Sequence, residues 1–276
     1  MDFATMMALE PHGPDTFVGT GPEYPWGGLY GGQIVAQALR AAGHSVDARF
    51  LPHSLHAYFI RAGNATEPIR FEVDRDRDGR SFCTRRVVVR QSTGVILNMA
   101  ASFHIVEQAP FAQAIAMPDV DTPETLASPS WSELFERRFV TTTGSPTGRA
   151  TAWLRLHDSV ADDPILHACG LAYVSDDLPT DAVFTVHPDM PSGFPHEVAN
   201  PHEMLSSASL DHSIWFHGLA DPSKWQLHDF TSHGVGGSRG LASGQVYTES
   251  GRHIATISQE VLLRKRRTGL DSNPTR

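Results

Sequence analysis

The same order of turns and strands occurs twice in this chain, and this internal repeat limits its possible folds more than any other feature. Three pairs of matching segments define the repeat: Gly79-Arg80-Ser81 with Gly236-Gly237-Ser238, Ser92-Thr93-Gly94 with Glu249-Ser250-Gly251, and His53-Ser54-Leu55 with His212-Ser213-Ile214. The first two pairs are 157 residues apart and the third pair is 159 residues apart. Chance rarely keeps one spacing through two turns and the start of a strand, so the pattern indicates a duplication. We therefore expect two similar halves.

Each half contains one predicted helix followed by strands. In the first half, residues 27–42 open with glycines and continue with apolar residues at helical spacing, which predicts a helix. The strand-like runs that follow are 53–61, 69–75, 81–91 and 95–106. In the second half, residues 164–178 predict a helix that begins at a proline, and the strand-like runs are 209–218, 225–232, 238–248 and 253–264. A helix followed by consecutive strands favours an α+β unit in which an antiparallel sheet wraps a helix.

The segment between the two halves differs from both in composition. Residues 108–150 are rich in Pro, Thr and Ser, which predicts a linker, and one short helix is predicted at about 131–139. We therefore expect an N-terminal half at 1–107, a linker at 108–150 and a C-terminal half at 151–276.

The composition is typical of a folded globular protein and argues against several classes of function. A chain of 276 residues with 40% hydrophobic content can build a sizeable core. A formal net charge of −9 opposes nucleic-acid binding, which needs clustered Lys and Arg. The chain has no Cys-x-x-Cys motif, and His196-Glu197 lacks the second histidine of a zinc-protease helix. We expect no metal, no redox cofactor and no nucleic-acid partner.

The sequence also predicts a cytoplasmic location. The first residues lack a basic start followed by an apolar stretch, and no apolar run is long enough to cross a bilayer, so we expect no membrane insertion. The last four residues are not the Ser-Lys-Leu peroxisomal signal, and Cys83 and Cys169 are predicted to be free thiols. The basic run 264–267 has two interpretations, a solvated tail or a docking site for a small polyphosphate.

Several long motifs resemble one family in their residues and in their order. In the first half these are GGLYGGQIVAQAL, HSLHAYFIRAGN, DGRSFCTRRV and ASFH; in the second half they are LAYVSD, SLDHSIWFH, GSRGLASGQVYTESG and SQEVLLR. The chain resembles the acyl-CoA thioesterase II family, whose members have a tandem double hot-dog fold. The resemblance implies two helix-on-sheet halves that form one continuous sheet. It also implies hydrolysis of fatty acyl-CoA to free fatty acid and CoA, and association into a homo-oligomer, a dimer or a tetramer.

The resemblance further implies a catalytic trio of Asp, Ser or Thr, and Gln that holds a water molecule. Carried over motif by motif, the trio is Asp176 in LAYVSD, Ser209 in SLDHSIWFH and Gln259 in SQE. These side chains suit the reaction, because a carboxylate can accept the proton of water while a hydroxyl and an amide fix its orientation. Taken singly, each residue also has an ordinary interpretation as a solvated or strand polar group.

Negative charge that develops on the thioester oxygen needs hydrogen-bond donors. Backbone N–H groups at a glycine-led helix start can supply them, and Gly31, Gly32 and Gln33 are the candidates. His56 is a further candidate for the substrate pocket. The repeat-related His53 and His212 are interpreted as structural, because only one half is expected to be active.

The repeat predicts a single site in the second half. At an offset of 157 residues Gln259 corresponds to Ser102, and at 159 residues Ser209 corresponds to Phe50, so the first half lacks the polar set. The sequence GGSRG at 236–240 fits the serine-hydrolase pattern, but a strand follows it, so we interpret it as a turn. Two alternatives stay open, since one fold hosts several chemistries: a hot-dog enoyl-CoA hydratase and a non-catalytic acyl-CoA binding module.

Overall fold

The computed structural model describes residues 1–128, 130–140, 148–190 and 204–265 of the chain. Within these ranges the helices are α1 (Phe3–Met7), α2 (Gly31–His44), α3 (Pro164–Val174), α4 (Pro179–Phe184) and a short 3-10 helix (Pro123–Thr125). The strands are β1 (Glu10–Pro11), β2 (Thr16–Gly19), β3 (Phe50–Phe59), β4 (Ile69–Asp78), β5 (Phe82–Gln91), β6 (Gly94–Ile105), β7 (Phe135–Phe139), β8 (Arg149–Leu156), β9 (Leu205–Ser209), β10 (Asp211–Phe216), β11 (Gln226–Gly236), β12 (Arg239–Thr248) and β13 (His253–Lys265).

The described strands form one antiparallel sheet, and the two halves meet at its centre. The strand order is β1-β2-β4-β5-β6-β3-β10-β13-β12-β11-β8-β7, with β9 paired to β13. Strand β3 of the first half pairs with β10 of the second half, so Leu55 lies opposite Ile214. Both side chains are fully buried on the face that carries the helices. The predicted α+β double hot-dog with one continuous sheet is confirmed.

Helices α2 and α3 pack against each other on the inner face of the sheet and run in opposite directions. At one end, a Cβ added to Gly43 would lie 2.8 Å from the side chain of Ile165; at the other, a Cβ added to Gly32 would lie 2.1 Å from the carbonyl oxygen of Tyr173. Only glycine permits that second approach, because a backbone atom cannot move aside as a side chain can. The start of α2 is therefore held against the end of α3.

Most predicted elements are present, with shifted ends. Helix α2 begins four residues later than expected because Gly27 has φ +77°, Gly28 forms a β-bridge with Asn64, and Tyr30 is extended. The helix predicted at 164–178 ends at Val174, and α4 follows it. The strand predicted at 209–218 is divided into β9 and β10 at Leu210, whose N–H donates to the carbonyl of Glu260. Within 236–240, Gly237 and Ser238 form the predicted turn between β11 and β12, and Ser238 has φ +62°.

The short helix predicted at 131–139 is wrong. Residues Phe135–Phe139 form strand β7, which pairs with β8 and places Phe135 opposite Leu156. The apolar positions of this segment fit a helical spacing as well as a strand, and the exposed edge of β8 selects the strand. The Thr-rich part of the predicted linker, 141–147, and the basic residues 266 and 267 lie outside the described residues.

Candidate active site

Asp176 lies directly after α3 and caps the start of α2. Its Oδ2 accepts a hydrogen bond from the backbone N–H of Gly32 at 3.0 Å. Tyr30, the residue at the N-cap position of α2, makes no side-chain capping bond of its own. The first-turn N–H groups of a helix have no partner within the helix and attract negative charge. The close approach of the two helices therefore brings the Asp176 carboxylate to the first turn of α2, where backbone N–H groups favour its negative charge.

Ser209 and Gln259 complete a chain of hydrogen bonds to this carboxylate. The Ser209 hydroxyl donates to Oδ1 of Asp176 at 3.1 Å, and Nε2 of Gln259 donates to the Ser209 hydroxyl at 2.8 Å. Ser209 ends β9, which pairs with β13 so that Ser209 lies opposite Val261, two residues beyond Gln259. The structure thus brings the three residues of the predicted trio into one site.

The environment of Asp176 makes its carboxyl group a base near neutral pH. Burial is the largest effect and raises the pKa from 3.8 to about 7, although hydrogen bonds from Gln259, Ser209 and Gly32 act in the opposite direction. The charge of Asp177 contributes a further, smaller increase in this pKa. A general base works best when its pKa lies near the working pH, so this carboxyl group is suited to accept a proton from water.

The neighbouring Asp177 has a different environment. Its carboxylate accepts hydrogen bonds from Nη1 of Arg137 at 2.9 and 3.0 Å and from the indole N–H of Trp131 at 2.6 Å. The Asp177 side chain is 2% exposed, and the buried ion pair compensates its charge. The two adjacent carboxyl groups therefore differ in their partners. Asp177 is paired with the cation of Arg137, whereas Asp176 is held only by neutral donors.

His212 lies behind Gln259, away from Asp176. One ring nitrogen, Nδ1, forms a short hydrogen bond with Oε1 of Gln259, and Nε2 lies 2.8 Å from the hydroxyl of Ser175. The ring is fully buried, and burial lowers the pKa of His212 to about 4. Sequence reasoning interpreted His212 as structural and missed its contact with Gln259. Alternation along β10, where His212, Ile214 and Phe216 are all buried, was the signal available in the chain.

Comparison with known proteins identifies the family. The model of the acyl-CoA thioesterase N-terminal domain matches residues 21–104, and that of the acyl-CoA thioesterase C-terminal domain matches residues 112–263. The chain belongs to the acyl-CoA thioesterase family. It is 33% identical over 261 residues to acyl-CoA thioesterase 2 of Haemophilus influenzae, covering 86% of this chain and 87% of the relative. It is 32% identical to human acyl-coenzyme A thioesterase 8, covering 94% of this chain and 88% of the relative.

Solved structures agree with this assignment. The tesB protein of Mycobacterium avium subspecies paratuberculosis superimposes on this thioesterase with a TM-score of 0.81 at 34% identity, covering 95% of this chain and 98% of that chain. The acyl-CoA thioesterase II TesB2 of Mycobacterium marinum gives a TM-score of 0.81 at 33% identity, covering 96% and 98%. The resemblance stated from the motifs is confirmed.

The predicted oxyanion donors of this thioesterase lie in the first turn of α2, beside Asp176. The N–H of Gly32 is occupied by Asp176, so this residue orients the carboxylate. The N–H groups of Gly31 and Gln33 belong to the same turn, where a helix offers no internal acceptor. The Gln33 side chain points elsewhere, since its amide is bonded to Tyr24 at 2.8 Å and to Gln37 at 3.1 Å. An oxyanion role for these N–H groups stays a prediction.

His56 does not join the site. Its neighbours Leu55 and Ala57 are buried on the inner face of β3, whereas His56 is exposed on the outer face. There its Nδ1 lies 3.1 Å from the hydroxyl of Ser213, and its ring contacts Trp215 with 5.1 Å between centroids. The structure therefore separates His56 from Asp176 by the thickness of the sheet.

The repeat-related positions in the first half are apolar, and both predicted strand equivalences are wrong. Strand pairing places Val87 opposite Met99, and Gly244, 157 residues after Val87, opposite Ile257, so Gln259 corresponds to Ala101 and not to Ser102. The break in β3 between Pro52 and Ser54 matches the break between Ser209 and Asp211, so Ser209 corresponds to Pro52 and not to Phe50. A shift of one residue moves a side chain to the other face of a sheet.

The equivalent of Asp176 follows from the helix ends. Ser45 and Ser175 are the C-cap residues of α2 and α3, and the two hydroxyl oxygens lie 2.7 and 3.1 Å from the carbonyl oxygen three residues earlier. Asp176 therefore corresponds to Val46. The trio of this thioesterase is replaced in the first half by three apolar residues, so the described halves contain the trio once.

Proposed function

We propose that this acyl-CoA thioesterase hydrolyses fatty acyl-CoA with a water molecule activated by Asp176 and oriented by Ser209 and Gln259. The observation that supports the proposal is a buried carboxyl group with a pKa of about 7, hydrogen-bonded to a hydroxyl that is itself held by an amide. The bound water donates a proton to Asp176 while its oxygen attacks the thioester carbonyl. Free N–H groups in the first turn of α2 receive the negative charge on the carbonyl oxygen.

Collapse of the tetrahedral intermediate breaks the carbon–sulfur bond and releases CoA as a thiolate. The proton held by Asp176 passes to that sulfur, which regenerates the carboxylate. The products are a free fatty acid and CoA. No other acceptor is required, because the proton taken from water is the one given to the leaving group.

Release of free thiol distinguishes this function from its two rivals. Purified protein is incubated with saturated acyl-CoAs of graded chain length, and free CoA is followed with a thiol reagent. Hydrolysis releases one thiol for each substrate consumed. A hydratase would add water to an enoyl-CoA without releasing thiol, and a binding module would consume nothing. Absence of thiol release at every chain length would contradict the proposal.

The role of Asp176 is tested by its replacement with asparagine. Asp176→Asn should lower kcat by at least about a hundredfold, which is the scale of general base catalysis. Asp74→Asn is the matched control, because it removes the same charge from an exposed side chain on β4. Near-normal turnover by Asp176→Asn would remove this residue from the mechanism.

We also propose that the protein is a homo-oligomer, a dimer or a tetramer, and that it is cytoplasmic. The support for both is the sequence: the family resemblance for the assembly, and the composition for the location. Light scattering at several protein concentrations and cell fractionation test them. Among the described residues, none of the helices has the length and apolar character needed to span a bilayer.

A further inference from the structure

We propose that His212 is a positioning residue for the reaction: its Nδ1–H fixes the orientation of the Gln259 amide and thereby points the Ser209 hydroxyl at Asp176. The inference rests on the proposed function, since it concerns the same base. The five side chains form a series of contacts that starts and ends on adjacent residues: Asp176, Ser209, Gln259, His212 and Ser175.

The direction of each hydrogen bond follows from the chemistry of the groups. Ionised Asp176 can only accept, so the Ser209 hydroxyl must donate to it and must accept from Nε2 of Gln259. This leaves Oε1 of Gln259 facing the imidazole. An amide oxygen has no hydrogen, so Nδ1 of His212 must carry one. The other ring nitrogen is then an acceptor, and the Ser175 hydroxyl at 2.8 Å is its donor.

The same contacts can also form with the donor and acceptor roles exchanged, but every donor then has an acceptor only when Asp176 carries a proton. In that order the Ser175 hydroxyl donates to the carbonyl of Ala172, 3.1 Å away, and Nε2 of His212 donates to Ser175. Nδ1 then accepts from a rotated Gln259 amide, and Ser209 donates to Gln259. Oδ1 of Asp176 would face a hydroxyl lone pair unless it were protonated. The position of the imidazole proton therefore selects the basic form of Asp176.

The surroundings of the His212 imidazole favour its neutral form and one ring orientation. His212 is fully buried on β10, between Gln259 of the neighbouring strand and Ser175 at the end of α3. Because burial lowers its pKa to about 4, the ring is neutral at physiological pH and offers one donor and one acceptor.

Two substitutions separate this role from simple packing. Asparagine at position 212 can place its amide nitrogen near the position of Nδ1 and keep the donor to Gln259, whereas leucine fills similar space without a donor. His212→Leu should lower kcat by about ten- to hundredfold, the cost of one unmade buried hydrogen bond at the site, with little change in KM. The midpoint of the rising limb of kcat/KM against pH should move upward, because the Ser209 hydroxyl is no longer held in its donor orientation towards the charged form of Asp176.

The conservative variant should reverse both effects. His212→Asn should return kcat to within about threefold of the wild type and restore the pH midpoint, since the essential donor is kept. The proposal is overturned when His212→Asn is as impaired as His212→Leu, or when His212→Leu lowers kcat without moving the pH midpoint. Thermal unfolding verifies that each variant is folded. If the leucine variant does not fold, Ser175→Ala provides the same test, with a smaller shift in the same direction.

Asp176→Asn measured beside these variants separates the two proposals. Normal turnover by Asp176→Asn refutes the proposed base and with it the role of His212. An inactive Asp176→Asn together with a fully active His212→Leu leaves the proposed function standing and refutes only the positioning role.

Discussion

Replacing Asp176 with asparagine should stabilise the folded protein at alkaline pH while it lowers turnover. The carboxyl group has a pKa of about 7 in the folded chain against an ordinary value of 3.8. A raised pKa means that the folded state binds this proton more tightly than the unfolded state does. The contribution of this carboxyl group to folding stability is therefore fully present below pH 3.8. It falls as the pH rises towards 7 and stays reduced above it.

The size of the effect follows from the same two values. Ionising this buried group costs the folded state about 4 kcal/mol once the pH is well above 7. Asparagine is similar in shape and has no charge. Its carbonyl oxygen can accept from Gly32 and its amide can donate to Ser209, so the variant avoids the cost and keeps both contacts.

Urea unfolding of the wild type and Asp176→Asn gives the required measurement. The variant should be the more stable protein, and its advantage should grow by about 2–3 kcal/mol between about pH 5 and about pH 8.5. Asp74→Asn, the exposed control, should show a much smaller change with pH. An advantage that is equal at both pH values, or a wild type that is more stable at the higher pH, would refute the assignment of a buried, destabilised carboxylate.

Three further predictions follow from the site. The value of kcat/KM should rise with pH around a midpoint of about 7, because Asp176 must lose its proton to act as a base, and stopped assays across the pH range measure it. Gly32→Ala should lower stability by at least about 1–3 kcal/mol in thermal unfolding, since its Cβ would meet a backbone carbonyl at 2.1 Å, whereas Gly43→Ala meets only a side chain. Arg137→Ala should lower the free energy of unfolding in urea by about 3–5 kcal/mol, because it leaves the charge of Asp177 buried and unpaired. A loss under about 1 kcal/mol, the scale expected for the exposed ion pair of Arg86, would contradict the reasoning.

The repeated helix and strands could be predicted from the sequence because their patterns are local. The trio came from motif resemblance, and its contacts could not be predicted, since Asp176, Ser209 and Gln259 come from three separate elements. The repeat alone gave a wrong equivalent for Gln259. The turn before the last strand is one residue longer in the second half, because Gln91 pairs with Gly94 whereas the N–H of Thr248 bonds to the carbonyl of Arg252, so the spacing between the halves changes within that turn.

The sequence also could not show which face of β3 points to the core. His56 lies between apolar residues in a run where either alternating set could face the core. Its exposure depends on the pairing of β3 with β10, which puts His56 opposite Ser213 on the outer face. His212 lies on the inner face, where the adjacent strand β13 places Gln259 against its ring. Pairing between distant strands, which no local pattern encodes, decides which histidine supports the site.

The proposed site joins the two halves, because Asp176 of the second half caps a helix of the first half. In the second half, Asp163 caps its own helix by accepting from the N–H groups of Ile165 and Leu166. In the first half, α2 lacks such a cap, and Asp176 of the other half supplies it. The first turn of α2 therefore serves the carboxylate of the second half, whereas the first turn of α3 is already satisfied. The same arrangement at the equivalent place would need an acid at Val46 and would have to displace Asp163, so the capping of each helix start limits the described halves to one copy of the trio.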